Sequence, residues 1–195
     1  MNDCLCLNCK KDANSSSDSV KIRAKNRRAE LTELIEKNPG IQFRDLMRLT
    51  NLKNGVLSHH LRRLEKTESI KVQRLPRQTR FYPRDFSDEE SMVAKALRRK
   101  TPRDIIYTLM LNEGDSKKGL DFNQIVSDVS KSPSTVSLYL SQLIKDNIVT
   151  ITLDFGRKRK YHLSNKQLVD RLIEDHKSGM FEKPVSGFED MINSL

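Results

Sequence analysis

One spacing constrains this chain more than any other: its second half repeats the first at an offset of 79 residues. LSHHLRRLEK from Leu57 aligns with VSLYLSQLIK from Val136, so that Ser58 meets Ser137, Leu61 meets Leu140 and Leu64 meets Leu143. Phe43 meets Phe122 and Tyr82 meets Tyr161 at the same offset, which predicts a duplication without gaps. Whatever the first half folds into, the second half should fold into as well. With 195 residues, the repeat divides the chain into two small domains.

The stretch Lys53 to Lys66 is the most informative part of the repeat. At helical period Leu57, Leu61 and Leu64 share one face, and Lys53, Asn54, Ser58, His59, Arg62 and Arg63 lie opposite. An aliphatic underside with a cationic, hydrogen-bonding top suits a negatively charged polymer with readable edges. The formal net charge of +10 and the isoelectric point near 9.6 point the same way.

Upstream, Ala24, Leu31, Leu34 and Ile35 form the apolar stripe of a helix predicted over Val20 to Lys37. Asn38-Pro39-Gly40 ends it, because proline cannot extend the ladder and glycine accepts unusual dihedrals. Ile41 to Phe43 reads as an extended entry, and Arg44 to Leu49 as a short helix burying Leu46, Met47 and Leu49. Downstream, the alternation Ile70, Val72, Arg74 predicts a strand; Leu75 to Gln78 predicts a turn and Thr79 to Tyr82 a second strand. This hairpin displays Arg74, Arg77 and Arg80 directly after the basic helix.

A connecting helix follows, opened by Ser87-Asp88-Glu89-Glu90, and Thr101-Pro102 starts the next. In the second copy Ser132 is the expected N-cap, with Pro133 at the first helical position. The top face there is Ser134, Thr135, Ser137, Leu138, Ser141 and Gln142, polar but without charge. Its hairpin runs from Ile148 and carries Arg157, Lys158, Arg159 and Lys160. A last helix, Lys166 to Lys177, either packs on its own domain or pairs with a second subunit in a homodimer.

All three cysteines lie in the first nine residues, so no disulfide framework staples the body. Cys4, Cys6 and Cys9 are close enough to share a zinc ion, but a closed tetrahedral site needs a fourth ligand. A disordered tail with reactive thiols is the plainer expectation, and otherwise no cofactor is expected. His59 and His60 are neighbours on a helix, point about 100° apart and do not chelate. No glycine-rich phosphate loop or nucleophile–base set stands out, so no enzyme is expected. No apolar run is long enough to cross a bilayer, and a cytoplasmic, nucleoid-associated protein is expected.

GVLSHHLRRLEKTESIKV with RLPRQTRFY, and STVSLYLSQLIKDNIVTI with FGRKRKYHL, resemble winged helix–turn–helix transcription regulators. The resemblance is to the ArsR- and MarR-like group of archaea and bacteria. It implies a mainly α fold with small β-hairpin wings (α+β), in two tandem copies. The resemblance covers roughly Arg23 to Ser164, and the chain is expected to divide into a disordered cysteine-containing tail (1–19), a first winged domain (20–86), a connecting helix (87–100), a second winged domain (101–165), a C-terminal helix (166–178) and a tail (179–195). The resemblance further implies a regulator of double-stranded DNA, each third helix docking in the major groove and each wing on backbone or minor groove. Carried onto this chain, it implicates Asn54, Ser58, His59, Arg62, Arg63, Ser134, Thr135, Ser137 and Leu138, with both wings. Metal-sensing members place cysteines in the recognition region, and this chain has none there. Winged helices also serve as protein-interaction modules in chromosome-segregation or basal transcription assemblies. Basic wings and a basic first recognition helix favour DNA over that alternative.

Overall fold

The computed structural model describes residues 12–76, 78–112, 119–154 and 158–176. The chain is mainly helical with two small antiparallel sheets, the class expected of it. It divides into two compact units, residues up to Glu36 with Ile41–Arg84, and Lys37–Gly40 with Asp85 onward.

The first unit opens with α1 (Asp12–Lys37), which begins at Asp12 rather than at the expected Val20. Adding turns to a formed helix costs little compared with nucleating one, so a polar, serine-rich segment can extend it. Leu31 and Ile35 on α1 are fully buried. The helix stops before Gly40, whose φ of 74° is the left-handed region that favours glycine. β1 (Ile41–Gln42) and α2 (Phe43–Thr50) follow. Phe43, Leu46, Met47 and Thr50 turn inward, whereas Leu49, expected in the core, is 54% exposed. On a 100° wheel Leu49 lies about 110° from the centre of that buried face.

α3 (Asn54–Lys66) buries Leu57, His60, Leu61 and Leu64. Its C-terminus is closed by two backbone bonds, Ser69 N–H to the Leu64 carbonyl at 2.9 Å and Glu68 N–H to the Glu65 carbonyl at 3.0 Å. Glu68 adopts φ 52° to make this turn, the arrangement that ends many helices. The chain then enters the hairpin β2 (Ile70–Leu75) and β3 (Gln78–Pro83). β1 pairs with the other side of β3, through Ile41 with Phe81 and Gln42 with Arg80. β3 is therefore the central strand of three. One core joins Leu31, Ile35, Ile41, Leu46, Leu57, Leu61, Leu64, Ile70 and Phe81.

The second unit starts with α4 (Asp88–Leu97), whose N-terminus carries a reciprocal cap between Ser87 and Glu90. α5 (Lys100–Asn112) follows, then α6 (Phe122–Val129) with a second such cap between Asp121 and Gln124. α7 (Pro133–Lys145) is capped by the Ser132 side chain, which accepts from Thr135 N–H. β4 (Val149–Leu153) and β5 (Arg159–Leu163) form a hairpin, and Leu120 bridges to Tyr161 as β1 does to β3. α8 (Lys166–Asp175) is capped by Asn165 and buries Leu168, Val169, Leu172 and Ile173. It packs on α4, with an ion pair from Arg171 to Glu90. Its apolar face is thus taken up inside its own unit.

The bounds of α6 and α7 lie 79 positions after those of α2 and α3, and the left-handed residues Asn51 and Glu68 correspond to Ser130 and Asn147. The offset breaks at the hairpin. Val72 pairs with Phe81, whereas Ile151 pairs with Tyr161. Tyr161 therefore stands where Phe81 does and not where Tyr82 does. The second hairpin is one residue longer, so the repeat is not free of gaps as its sequence suggests.

Candidate nucleic-acid interface

The exposed side of α3 is built from two neighbouring rows. Residues four apart on a helix are surface neighbours, which places Asn54, Ser58 and Arg62 in one row and Gly55, His59 and Arg63 in the next, with Lys53 at the N-cap. All but the half-buried Ser58 are exposed. Ser58 Oγ donates to Asn54 Oδ1 at 3.1 Å, which turns the amide N–H2 group of Asn54 outward as a donor. Lys66 extends the first row, a residue that sequence reasoning missed although it follows Arg62 at the same spacing. Arg44 on α2 is also exposed and was missed.

Behind this surface, His60 is 8% exposed, with its ring edge-to-face against His59 at 5.7 Å between centroids. Burial lowers the His60 pKa below its ordinary value, and His59, Arg28 and Arg27 push it the same way. Its Nδ1 is buried without a hydrogen-bond partner. His60 is thus a neutral packing residue, while His59 belongs to the surface.

The first hairpin corrects the expected arginine set. Arg74 is exposed but forms a two-pronged ion pair with Glu65, Nη1 to Oε1 and Nη2 to Oε2, each 2.7 Å. Arg80, expected on the wing surface, is only 3% exposed. As part of the central strand it pairs with Gln73 on one side and Gln42 on the other, and its Nη2 donates to Gln78. Arg77 lies outside the described residues.

The second unit presents different chemistry from the equivalent helix. Ser134, Ser137 and Leu138 are exposed on α7 and Thr135 is half-buried, its hydroxyl 2.8 Å from that of Ser132. No lysine or arginine occurs on α7 before Lys145, and Leu138, at the position of His59, is 66% exposed. Tyr139, at the position of His60, is held by Arg99, whose Nη2 donates to its hydroxyl at 3.0 Å. The C-terminus of α7 is tied to α4 by Lys95 and Asp146, 2.8 Å apart and largely covered. On the hairpin Lys158 and Arg159 are exposed, whereas Lys160 is mostly covered and 3.9 Å from Asp121. Arg157 lies outside the described residues.

Among the described residues, no cluster of three or more His, Cys, Asp or Glu side chains is placed to hold a metal ion. Cys4, Cys6 and Cys9 lie outside them. No helix of the described residues is long and apolar enough to cross a membrane.

Residues 25–93, from α1 into α4, match the family described as N-terminal HTH domain. Over 151 residues the chain is 26% identical to an uncharacterized HTH-type transcriptional regulator of Methanocaldococcus jannaschii. That alignment covers 77% of this chain and 37% of the relative, so the chain spans well under half of that protein's length. Among solved structures, similarity extends to a MarR-family transcriptional regulator from Silicibacter pomeroyi, at 17% identity and a TM-score of 0.35. It covers 54% of this chain and 75% of that one. MepR, a transcription regulator of the Staphylococcus aureus multidrug efflux pump MepA, is similar at 15% identity and a TM-score of 0.35. There the cover is 55% of this chain and 83% of that one.

Proposed function

We propose that this protein is a DNA-binding transcription regulator with two tandem winged helix–turn–helix domains. In this reading α3 docks in the major groove and the two hairpins lie on the backbone or minor groove. The observation that carries it is the exposed face of α3, where amide, hydroxyl, imidazole and guanidinium groups stand in two rows over a buried leucine underside. Asn54, Ser58 and His59, near the start of the helix, suit base edges. Arg62, Arg63, Lys66, Lys158 and Arg159 suit phosphates, which give affinity without sequence. The match of this same segment to a helix–turn–helix family supports the assignment. No reaction is proposed for it, and it acts where DNA is, in the cytoplasm and on the nucleoid.

The second recognition helix contributes differently. Hydroxyls and Leu138 offer shape, backbone contact and an apolar surface for a thymine methyl, with the exposed Lys158 and Arg159 supplying charge nearby. That charge-poor face also favours a second reading, in which α7 is a protein-interaction surface. A homodimer through α8 would have to use the helix's charged outer side, since its apolar side is buried within the chain. Zinc at Cys4, Cys6 and Cys9 remains a separate proposal, to be tested by metal analysis of protein purified without chelator.

Titrating labelled duplex DNA with the full chain at several salt concentrations tests the main proposal. Binding should weaken steeply as salt rises, because each neutralised phosphate releases counterions. Binding that is absent, or unchanged by salt, would overturn it.

A further inference from the structure

The one acidic residue on α3 is Glu65, in a helix whose outward face otherwise carries Asn54, Ser58, His59, Arg62, Arg63 and Lys66. A carboxylate on a surface meant for a polyanion repels it, so its presence calls for a cause. Its side chain is engaged by Arg74 of β2 through two parallel hydrogen bonds of 2.7 Å. That fork is directional, since a planar guanidinium meets a planar carboxylate in one orientation. Arg74 pairs with Thr79 one step before the Leu75–Gln78 pair that closes the ladder, so the fork grips the hairpin close to its tip. The Glu65 carboxyl is held below the usual carboxylate range chiefly by the hydrogen bond from Arg74.

We propose that Glu65 and Arg74 form a clamp that fixes the first hairpin against the C-terminal half of α3, making Arg74 a positioning residue and not a phosphate contact. This rests on the DNA-binding reading above. The fold does not require the pair: 79 residues on, the equivalent positions are Ile144 and Leu153, and Leu153 is exposed. The first unit thus spends an acid and a base to hold its hairpin where the second unit spends neither. With its charge committed to Glu65, Arg74 serves DNA by fixing where the rest of the hairpin meets the duplex.

Glu65→Gln separates the two roles by sign. If Arg74 were a phosphate contact, removing the neighbouring acid would leave DNA binding unchanged or tighten it. The clamp predicts the reverse: full-length Glu65→Gln should bind duplex about three- to tenfold more weakly, as expected for a geometrically exacting pair. Arg74→Ala should weaken binding at every salt concentration while keeping the wild-type slope, whereas loss of a phosphate contact lowers that slope by about 0.9. The exchanged pair, Glu65→Arg with Arg74→Glu, should recover most of the lost affinity at unchanged net charge. In the free protein, amide hydrogens of β2 and β3 should exchange faster in Glu65→Gln than in the wild type.

Tighter binding by Glu65→Gln, or a shallower slope in Arg74→Ala, overturns the proposal. So does unchanged hairpin exchange. If the wild-type chain binds no duplex, the functional reading falls and the positioning role with it. Faster exchange in Glu65→Gln would then show that the clamp itself exists, which tells the two failures apart.

Discussion

His60 shows what a single side chain contributes when a helix has both a solvent-facing side and a packing side. It follows the exposed His59, yet it is buried with its pKa depressed by desolvation and by His59, Arg28 and Arg27. The unfolded chain therefore takes up a proton at higher pH than the folded one. Stability from a neutral His60 is fully present above the unfolded value of about 6.5 and is lost as pH falls through the lower folded value. Thermal unfolding from pH 7.5 to pH 5 should show a smaller acid loss in His60→Phe than in the wild type. Equal losses would remove His60 as a cause. His176, also depressed mainly by burial, acts in the same direction in the second unit and keeps some acid sensitivity in the variant. Gly119 is the second residue with a specific demand. Its φ is +53°, and a Cβ there would lie 2.4 Å from the His162 ring. Gly119→Ala should lower stability by about 1–3 kcal/mol, read as a drop in melting temperature. That His59 and His60 diverge was legible from helix geometry, which sets neighbours about 100° apart. The burial of Arg80 was not, because a strand's own alternation cannot say that two residues of a distant β1 will cover its far edge.

At the scale of elements, the helices were the legible part. Their aliphatic stripes, the Ser87 and Ser132 caps and the 79-residue offset predict α3, α4 and α7 nearly to their ends. Hairpin register was less legible. Two tyrosines at the repeat distance suggest equivalence, but register is set by turn length, and one extra residue in the second turn moves Tyr161 to the place of Phe81. The ties across elements, Glu65 with Arg74 and Lys95 with Asp146, join residues whose proximity no local pattern reveals. The helix starts also differ between the units. α7 is capped by Ser132, whereas Lys53 at the same place on α3 makes no side-chain cap. Lys53→Ser should therefore stabilise the first unit by about 0.5–1 kcal/mol and, in the DNA-binding reading, weaken duplex binding at low salt. A melting curve and a titration on the same variant check both. A rise in stability with undiminished binding would take Lys53 out of the interface.

For the whole molecule, the question that the DNA-binding reading raises is whether one unit or both would hold the duplex. The excess of ten positive charges does not decide it, because two candidate cations face acids within the protein: Arg74 is paired with Glu65, and Lys160 lies 3.9 Å from Asp121. The informative cations are Arg62 and Arg63 on α3, and Lys158 and Arg159 on the second hairpin, all exposed. If both units touch the same DNA, Arg62→Ala with Arg63→Ala should lower the salt slope of binding. Lys158→Ala with Arg159→Ala should do so as well, each pair by about 1–2. Each loss should weaken all sequences alike, and the quadruple variant should lose roughly the sum of the two free energies, since the pairs lie on separate compact units. A slope that responds to the α3 pair alone would make the first unit the sole DNA grip. The charge-poor face of α7, with Leu138 at its centre, would then be better explained as a surface for protein, because a helix that carries no lysine or arginine before Lys145 does little of itself to hold phosphate.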